Sequence, residues 1–454
     1  SGERPDSVPA AWFDALVSDL QGAGERAVVV VGESQAPFVH AIGHALNAAL
    51  GSVGTTVRYT EPLSPADADE GSALRQLVSD MRGGAVQTLL ILGGNPVYSA
   101  PGELDFADAL DAVPFSAHLT LYDNETSEHC QWVIPAAHYL ESWSDARAYD
   151  GSVAIVQPLI EPLYTGRTAH EILSALLDDG NATAYDAVRG YWEGQLSGDN
   201  FERDWRRAVH DGVVAGSEAA DASLSLNDAF LSDAPPSIDA ESLEIVFRPD
   251  PTLYDGRFAN LGWLQELPKP IVKLTWDNAA IMSPATADRL GLAQDAMVEL
   301  EVNGRSVTAP VLVAPGAAEN SVVVWLGHGR ERAGRVGDGI GFNAYRIRPT
   351  DSPWYAPVSL SATGATHPLA TTQGHHQITH HLAERELIRA GTLEAFREDP
   401  EFLQHGGHGA SAESGVEEED GAVEEPASLY GEWEYNGSKW GLTTELSTCP
   451  GTMA

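Results

Sequence analysis

Two glycine-bearing turns, one glycine-rich loop and a few cysteines and histidines are the groups in this sequence best suited to hold a ligand. Gly93-Gly94-Asn95-Pro96 follows an apolar run. There Gly94 and Asn95 could bring backbone N–H groups close to a phosphate, although a tight turn needs the same residues. Gly327, Gly329, Gly334, Gly337, Gly339 and Gly341 lead into Asn343. Glycines so placed let backbone approach a ligand, or they shape a loop packed on protein. Gly32-Glu33-Ser34-Gln35-Ala36 lies between an apolar run and a helical pattern, the setting of a nucleophile elbow. Its last position is Ala, and no His follows in a triad context, so a capped βα turn is the simpler reading. Cys130 and Cys449 are too few for a disulfide framework or a complete metal site. His375, His376, His380 and His381 could offer imidazoles to zinc or copper. Only His376 and His380 would share a helix face, and no acidic or Cys ligand completes a familiar spacing.

The elements that must position these groups are legible from apolar spacing. Ala27–Val31 reads as a buried parallel strand and Pro37–Leu50 as a helix. Gln87–Leu92, Phe115–Leu121 and Trp132–Ile134 are further strands, with helices near Glu103–Leu110 and Ala169–Leu177. Alternating strands and helices predict an α/β domain with a parallel, Rossmann-like sheet over 1–215. Residues 216–265 read as a linker and connecting strand, with Pro235-Pro236 breaking any helix and Leu243–Phe247 leading onward. From 266 to 365 the pattern becomes a compact β-barrel. Met297–Val302 and Ser306–Val313 flank an Asn303-Gly304 hairpin, and Gly291 caps a short helix at Pro284–Leu290. Residues 366–454 form a wrapping, acidic, partly disordered tail, anchored near its end by Tyr430, Trp433, Tyr435 and Trp440.

Of 454 residues, 66 are acidic and 26 basic, a net charge of −40. The stretch Glu413–Glu425 holds seven acids; without it 59 acids face 26 bases, an excess of 33 spread over the folded surface. Lysine occurs three times, at Lys269, Lys273 and Lys439. Such a surface suits a salty medium, where counterions screen self-repulsion, and it repels phosphate polymers and anionic membranes. Nucleic acid is therefore not an expected partner. The chain begins Ser1-Gly2-Glu3 without a signal-like region, and reads as part of a longer precursor.

Several passages together resemble a known family. Lys273–Tyr345 is similar to the C-terminal dinucleotide-binding double-psi barrel of the molybdopterin oxidoreductase superfamily. Asn124–Pro135 (NETSEHCQWVIP) resembles the superfamily's Thr-Glu-Thr-Ala…Ala-Asp-Val-Val-Leu-Pro segment. Glu125, Thr126 and Pro135 match, while Cys130 and Gln131 replace Ala-Asp. His138–Arg147 stands where catalytic members carry a glycine-rich loop. These departures resemble the B subunit of alternative complex III, a quinol-oxidising respiratory assembly, through Glu125–Ile160, Asp255–Asn260, Trp263–Pro268, Leu274–Ala287 and Gly339–Tyr345.

The resemblance implies a non-catalytic scaffold with no catalytic residues. Gly94, Asn95 and Asn343 would be vestigial pterin-site positions, and molybdopterin is not expected to be bound. 4Fe-4S and 3Fe-4S clusters would belong to a ferredoxin-like half beyond this chain. Cys449 would be a first cluster ligand left incomplete, since Thr452 replaces the next cysteine and a cluster needs about four thiolates. Implied partners are multihaem cytochrome c and quinol-binding membrane subunits, at the periplasmic face of the bacterial inner membrane. The alternatives are a fragment of an active molybdopterin-dependent oxidoreductase and a free-standing binding module on the same fold. The spread of acids gives a direct expectation. The melting temperature should rise from dilute buffer to molar KCl, whereas a flat or falling curve would show the acids to be locally compensated.

Overall fold

Three apolar runs form the first sheet: β1 (Thr88–Leu92), β2 (Phe115–Thr120) and β3 (Trp132–Pro135), in that spatial order and all parallel. The computed structural model describes residues 8–63, 70–177, 180, 182–196, 200–227, 229, 242–372 and 392–398. The chain divides into two units, 1–374 and 375–454, and in the second the described part is the helix Leu393–Glu398. Among the described residues, no helix is long and apolar enough to cross a membrane.

The parallel sheet is covered by the helices Glu70–Arg82 and Phe106–Asp111, which bury Val78, Met81, Phe106, Ala109 and Leu110 against Leu89 and Ile91. This part of the α/β expectation stands, but the strand expected at Ala27–Val31 does not form. That segment runs with no strand beside it. Val30 is 82% exposed, and the Asn47 side chain takes both the N–H and the C=O of Val29, each at 2.8 Å. Five apolar residues in a row satisfy a strand pattern, yet a strand needs a neighbour to take its backbone groups. The helix Pro37–Leu50 does form, closed by Gly51 in the left-handed region. Without the strand, the Ser34 turn is no nucleophile elbow.

A small antiparallel sheet follows, made of β4 (Ser144–Arg147), β5 (Val153–Val156) and β6 (Val213–Val214). It packs on the helices Ala184–Gln195 and Phe201–Asp211 through Trp192 and Trp205. Its two-residue third strand lies about sixty residues after β5 and carries too little pattern to be found locally.

The second half is a mixed sheet of seven strands. They are β7 (Glu244–Arg248), β8 (Ala280–Met282), β9 (Ala296–Val302), β10 (Arg305–Val313), β11 (Ser321–Trp325), β12 (Tyr355–Pro357) and β13 (Ser359–Thr366). Their spatial order is β12-β7-β11-β8-β10-β9-β13. The strand assigned to the connecting region is thus a full member of the sheet. β7 runs parallel to β11 and antiparallel to β12, so the body of this half begins at 242 rather than 266. The hairpin between β9 and β10 turns through Asn303 and Gly304, both at positive φ, as a two-residue connection requires. Val298, Leu300 and Val302 point inward and Glu299 and Glu301 outward, the period-two signature of a sheet with one wet face.

The glycine-rich loop after β11 is shaped by protein contact. A Cβ at Gly329 would strike the backbone of Phe342 and Asn343, one at Gly341 would meet Asn278 and His328, and one at Gly337 would meet Ala259. By contrast, Gly339 has open space around it. Gly329→Ala should therefore lower the melting temperature more than Gly339→Ala. The latter carries the left-handed backbone cost of about 1–2 kcal/mol, and the former adds an overpacking cost of similar size. Equal losses in thermal unfolding would show that the loop is not held by these contacts.

Candidate functional site

The short helix Glu125–Glu128 lies beyond β2 and is N-capped by Asn124, whose side chain accepts from the N–H of Ser127. That cap aims the Glu125 carboxylate into the protein, where it meets Arg330 from the glycine-rich loop. Arg330 Nε donates to both carboxylate oxygens at 2.8 and 3.1 Å, and a terminal nitrogen donates at 2.8 Å. The N–H groups of Glu331 and Arg332 donate to Oε1 at 2.9 and 3.0 Å, and Asn95 Nδ2 donates to Oε2 at 2.6 Å. Both charged side chains are buried. Burial by itself would raise the Glu125 pKa. The guanidinium and the donated hydrogen bonds outweigh it and bring the value to about 2.

The remaining donors of Arg330 are also engaged. One terminal nitrogen donates to the Gly256 carbonyl at 2.6 Å, another to Arg332 O at 3.2 Å, and the guanidinium lies 4.8 Å from the centre of the Tyr98 ring. Tyr98 comes from the turn after β1, donates its hydroxyl to the His328 carbonyl at 2.8 Å and sits edge-on to Tyr345. Burial pushes its phenol well above the ordinary value. Asn343 closes the circuit, capping Tyr345 with its oxygen and donating to Tyr98 O at 3.3 Å.

The structure therefore brings Asn95 and Asn343 into one network and turns both toward protein. The Asn95 oxygen accepts from the Thr126 N–H and hydroxyl, while its nitrogen serves Glu125. Gly93 and Gly94 adopt positive φ with open space beside them, but the Gly94 carbonyl is held by His118 Nε2 at 3.2 Å. A cavity of about 430 Å³ opens beside the loop, lined by Ser306, Thr308, Arg330, Glu331, Asn343 and Arg346; Gly94 and Asn95 do not line it. Asn95, Asn343 and Arg330 are already engaged by protein, and most glycines of the loop are filled against by protein. These residues do not fit that group, and no chemical step runs through it.

Sequence reasoning missed Arg330, Tyr98 and a second buried cluster. Asp250, Lys269 and His328 have fully buried side chains: Lys269 Nζ lies 3.0–3.1 Å from both Asp250 oxygens, and His328 Nδ1 is 3.6 Å from Oδ2. Lys269 enters on a loop where Ile271, Lys273 and Trp276 all take left-handed φ, a conformation costly for such side chains. A lysine in a chain with three of them, set between Pro268 and Pro270, was the available signal. Cys130 is half-buried against the Met81 and Leu110 cluster, and burial raises its thiol pKa. Cys449 and His375, His376, His380 and His381 lie outside the described residues. Among the described residues, no group of three or more His, Cys, Asp or Glu could hold a metal ion.

No family model matches the chain. It is 27% identical over 382 residues to the "Menaquinone reductase, molybdopterin-binding-like subunit" of Nitratidesulfovibrio vulgaris. That match takes in 76% of this chain and 53% of the relative, so the chain spans about half of that protein's length. Among solved structures, acetylene hydratase from Pelobacter acetylenicus aligns with a TM-score of 0.45 at 12% identity, over 65% of this chain and 47% of that one.

The pairing of Glu125 with Arg330 predicts a defined acid response. The carboxylate's folded pKa is depressed, so its stabilisation is present above its ordinary value of 4.5 and is lost as pH falls toward about 2. Glu125→Gln should destabilise the protein by about 3–5 kcal/mol at pH 7, because it strands a buried guanidinium. It should also flatten the decline in urea midpoint between pH 5 and pH 2. An unchanged acid limb would show that other carboxylates dominate.

Proposed function

We propose that this chain is a non-catalytic scaffold in a quinone-linked respiratory oxidoreductase, of the kind represented by the B subunit of alternative complex III. The Asn95–Glu125–Arg330 network carries the reading. Where superfamily relatives would present groups to a pterin, this chain spends the same positions on joining its α/β part to its mixed sheet. The kinship with a menaquinone reductase subunit supports a respiratory role. Exposed Trp263, Ile271, Tyr149 and Tyr164 add support, because large apolar side chains left in water commonly mark protein contacts.

On this reading the arrangement is a Rossmann-like domain followed by a double-psi barrel. Its partners are multihaem cytochrome c and quinol-binding membrane subunits, and it works at the periplasmic face. Iron–sulfur clusters would be held by a ferredoxin-like half of the assembled protein, with Cys449 near that junction. The competing reading, part of an active molybdenum enzyme, draws on the cavity beside Asn343. Protein purified from its native host should contain neither molybdenum nor tungsten by elemental analysis, and its oxidised extracts should lack pterin fluorescence. Stoichiometric metal with pterin would replace the scaffold by the enzyme.

A further inference from the structure

We propose that Lys269 and Asp250 become joined by an intramolecular amide bond, formed within the folded sheet with His328 as the proton relay. The three side chains come from separate parts of the chain: Asp250 just after β7, Lys269 from the strained loop, and His328 just after β11. Each of the three side chains is fully buried. Nζ straddles the carboxylate, 3.1 Å from Oδ1 and 3.0 Å from Oδ2, and the Trp325 ring lies 5.6 Å from it.

The two carboxylate oxygens are treated differently. Oδ1 accepts the N–H of Thr252 at 2.8 Å, the N–H of Leu253 at 2.9 Å and the Thr252 hydroxyl at 2.9 Å. Oδ2 lies 3.0 Å from Nζ without a hydrogen bond of good geometry, and among the described residues neither ring nitrogen of His328 has a hydrogen-bond partner. An ordinary buried ion pair satisfies its polar atoms. Here, among the described residues, Oδ2 and the two ring nitrogens of His328 lack a well-formed hydrogen bond, and Nδ1 lies 3.6 Å from Oδ2.

Burial lowers the Lys269 pKa against the opposing pull of Asp250. Burial likewise lowers His328 to about 4, so its imidazole is neutral at pH 7. A proton passes from Nζ to the carboxylate, leaving an amine and a carboxylic acid. Nζ then attacks Cγ, and negative charge gathers on Oδ1, where two backbone N–H groups and a hydroxyl already point. His328 takes the second proton from nitrogen and delivers it to the departing Oδ2. The Nζ–Cγ bond forms, the Cγ–Oδ2 bond breaks, and one water leaves; nothing is oxidised or reduced. Holding amine and acid in contact supplies the proximity that makes amide formation feasible without activation, since effective molarities reach about 10⁵–10⁸ M in well-oriented pairs.

Intact-mass measurement on the purified, denatured full chain tests this directly. The protein should be lighter than its sequence by one water, and a protease digest should contain the Asp250 peptide joined to the Lys269 peptide. Lys269→Arg should restore the full sequence mass, while Asp250→Asn should shed ammonia instead of water. His328→Phe keeps both partners and should yield a mixture of joined and unjoined chains. A wild-type chain at its full sequence mass, or a lost water mapping elsewhere, overturns the proposal whatever the variants do.

Discussion

The buried contact between Glu125 and Arg330 is the constraint on which the rest of this structure depends. It joins a helix following a parallel strand to a loop following a strand of the second sheet, the partners being 205 positions apart in sequence. Removing two charges from water costs several kcal/mol each, and the cost is offset only when every lone pair and N–H finds a partner. Here the carboxylate collects donors from Arg330, Asn95 and two loop amides, and the guanidinium finds Gly256 O, Arg332 O and the Tyr98 face. The positions of Asn95, Tyr98 and the glycine-rich loop follow from that requirement.

This saturation also bears on function. A catalytic or ligand-binding site normally keeps polar groups uncommitted, so that a substrate can complete their hydrogen bonds. Around Arg330 the protein has completed them itself. A loop rich in glycine suggests ligand approach in sequence, and in space Gly329, Gly337 and Gly341 give way to Asn343, Ala259 and Asn278. Asn278 is the clearest instance. It is fully buried, donates to the carbonyls of Trp325 and Phe342, and accepts the Phe342 N–H, which fixes both ends of the loop.

The Asp250, Lys269 and His328 cluster obeys a different rule. Its three side chains are fully buried, and Lys269 is delivered by backbone that holds Ile271, Lys273 and Trp276 in the left-handed region. Backbone strain of this kind persists only where surrounding packing over-determines it. The core around it is of that sort, with Leu253 and Leu274 fully buried nearby in sequence.

The sequence by itself determined what depends on neighbours along the chain. Period-two alternation placed β9, Asn303-Gly304 placed its hairpin, Pro284 and Gly291 bounded a helix, and apolar runs placed the three parallel strands. It also determined the excess of acid. Tertiary structure alone decided the rest. Ala27–Val31 has a strand's composition but no strand beside it, and Glu244–Arg248, read as a strand that only connects, pairs on both edges. It alone decided that Asn95 and Asn343 serve the protein, and that Lys269 meets Asp250 and His328. The physical reason is common to all of these. Local propensity is set within a few residues, whereas hydrogen-bond satisfaction and desolvation are set by groups that meet only after the chain has folded.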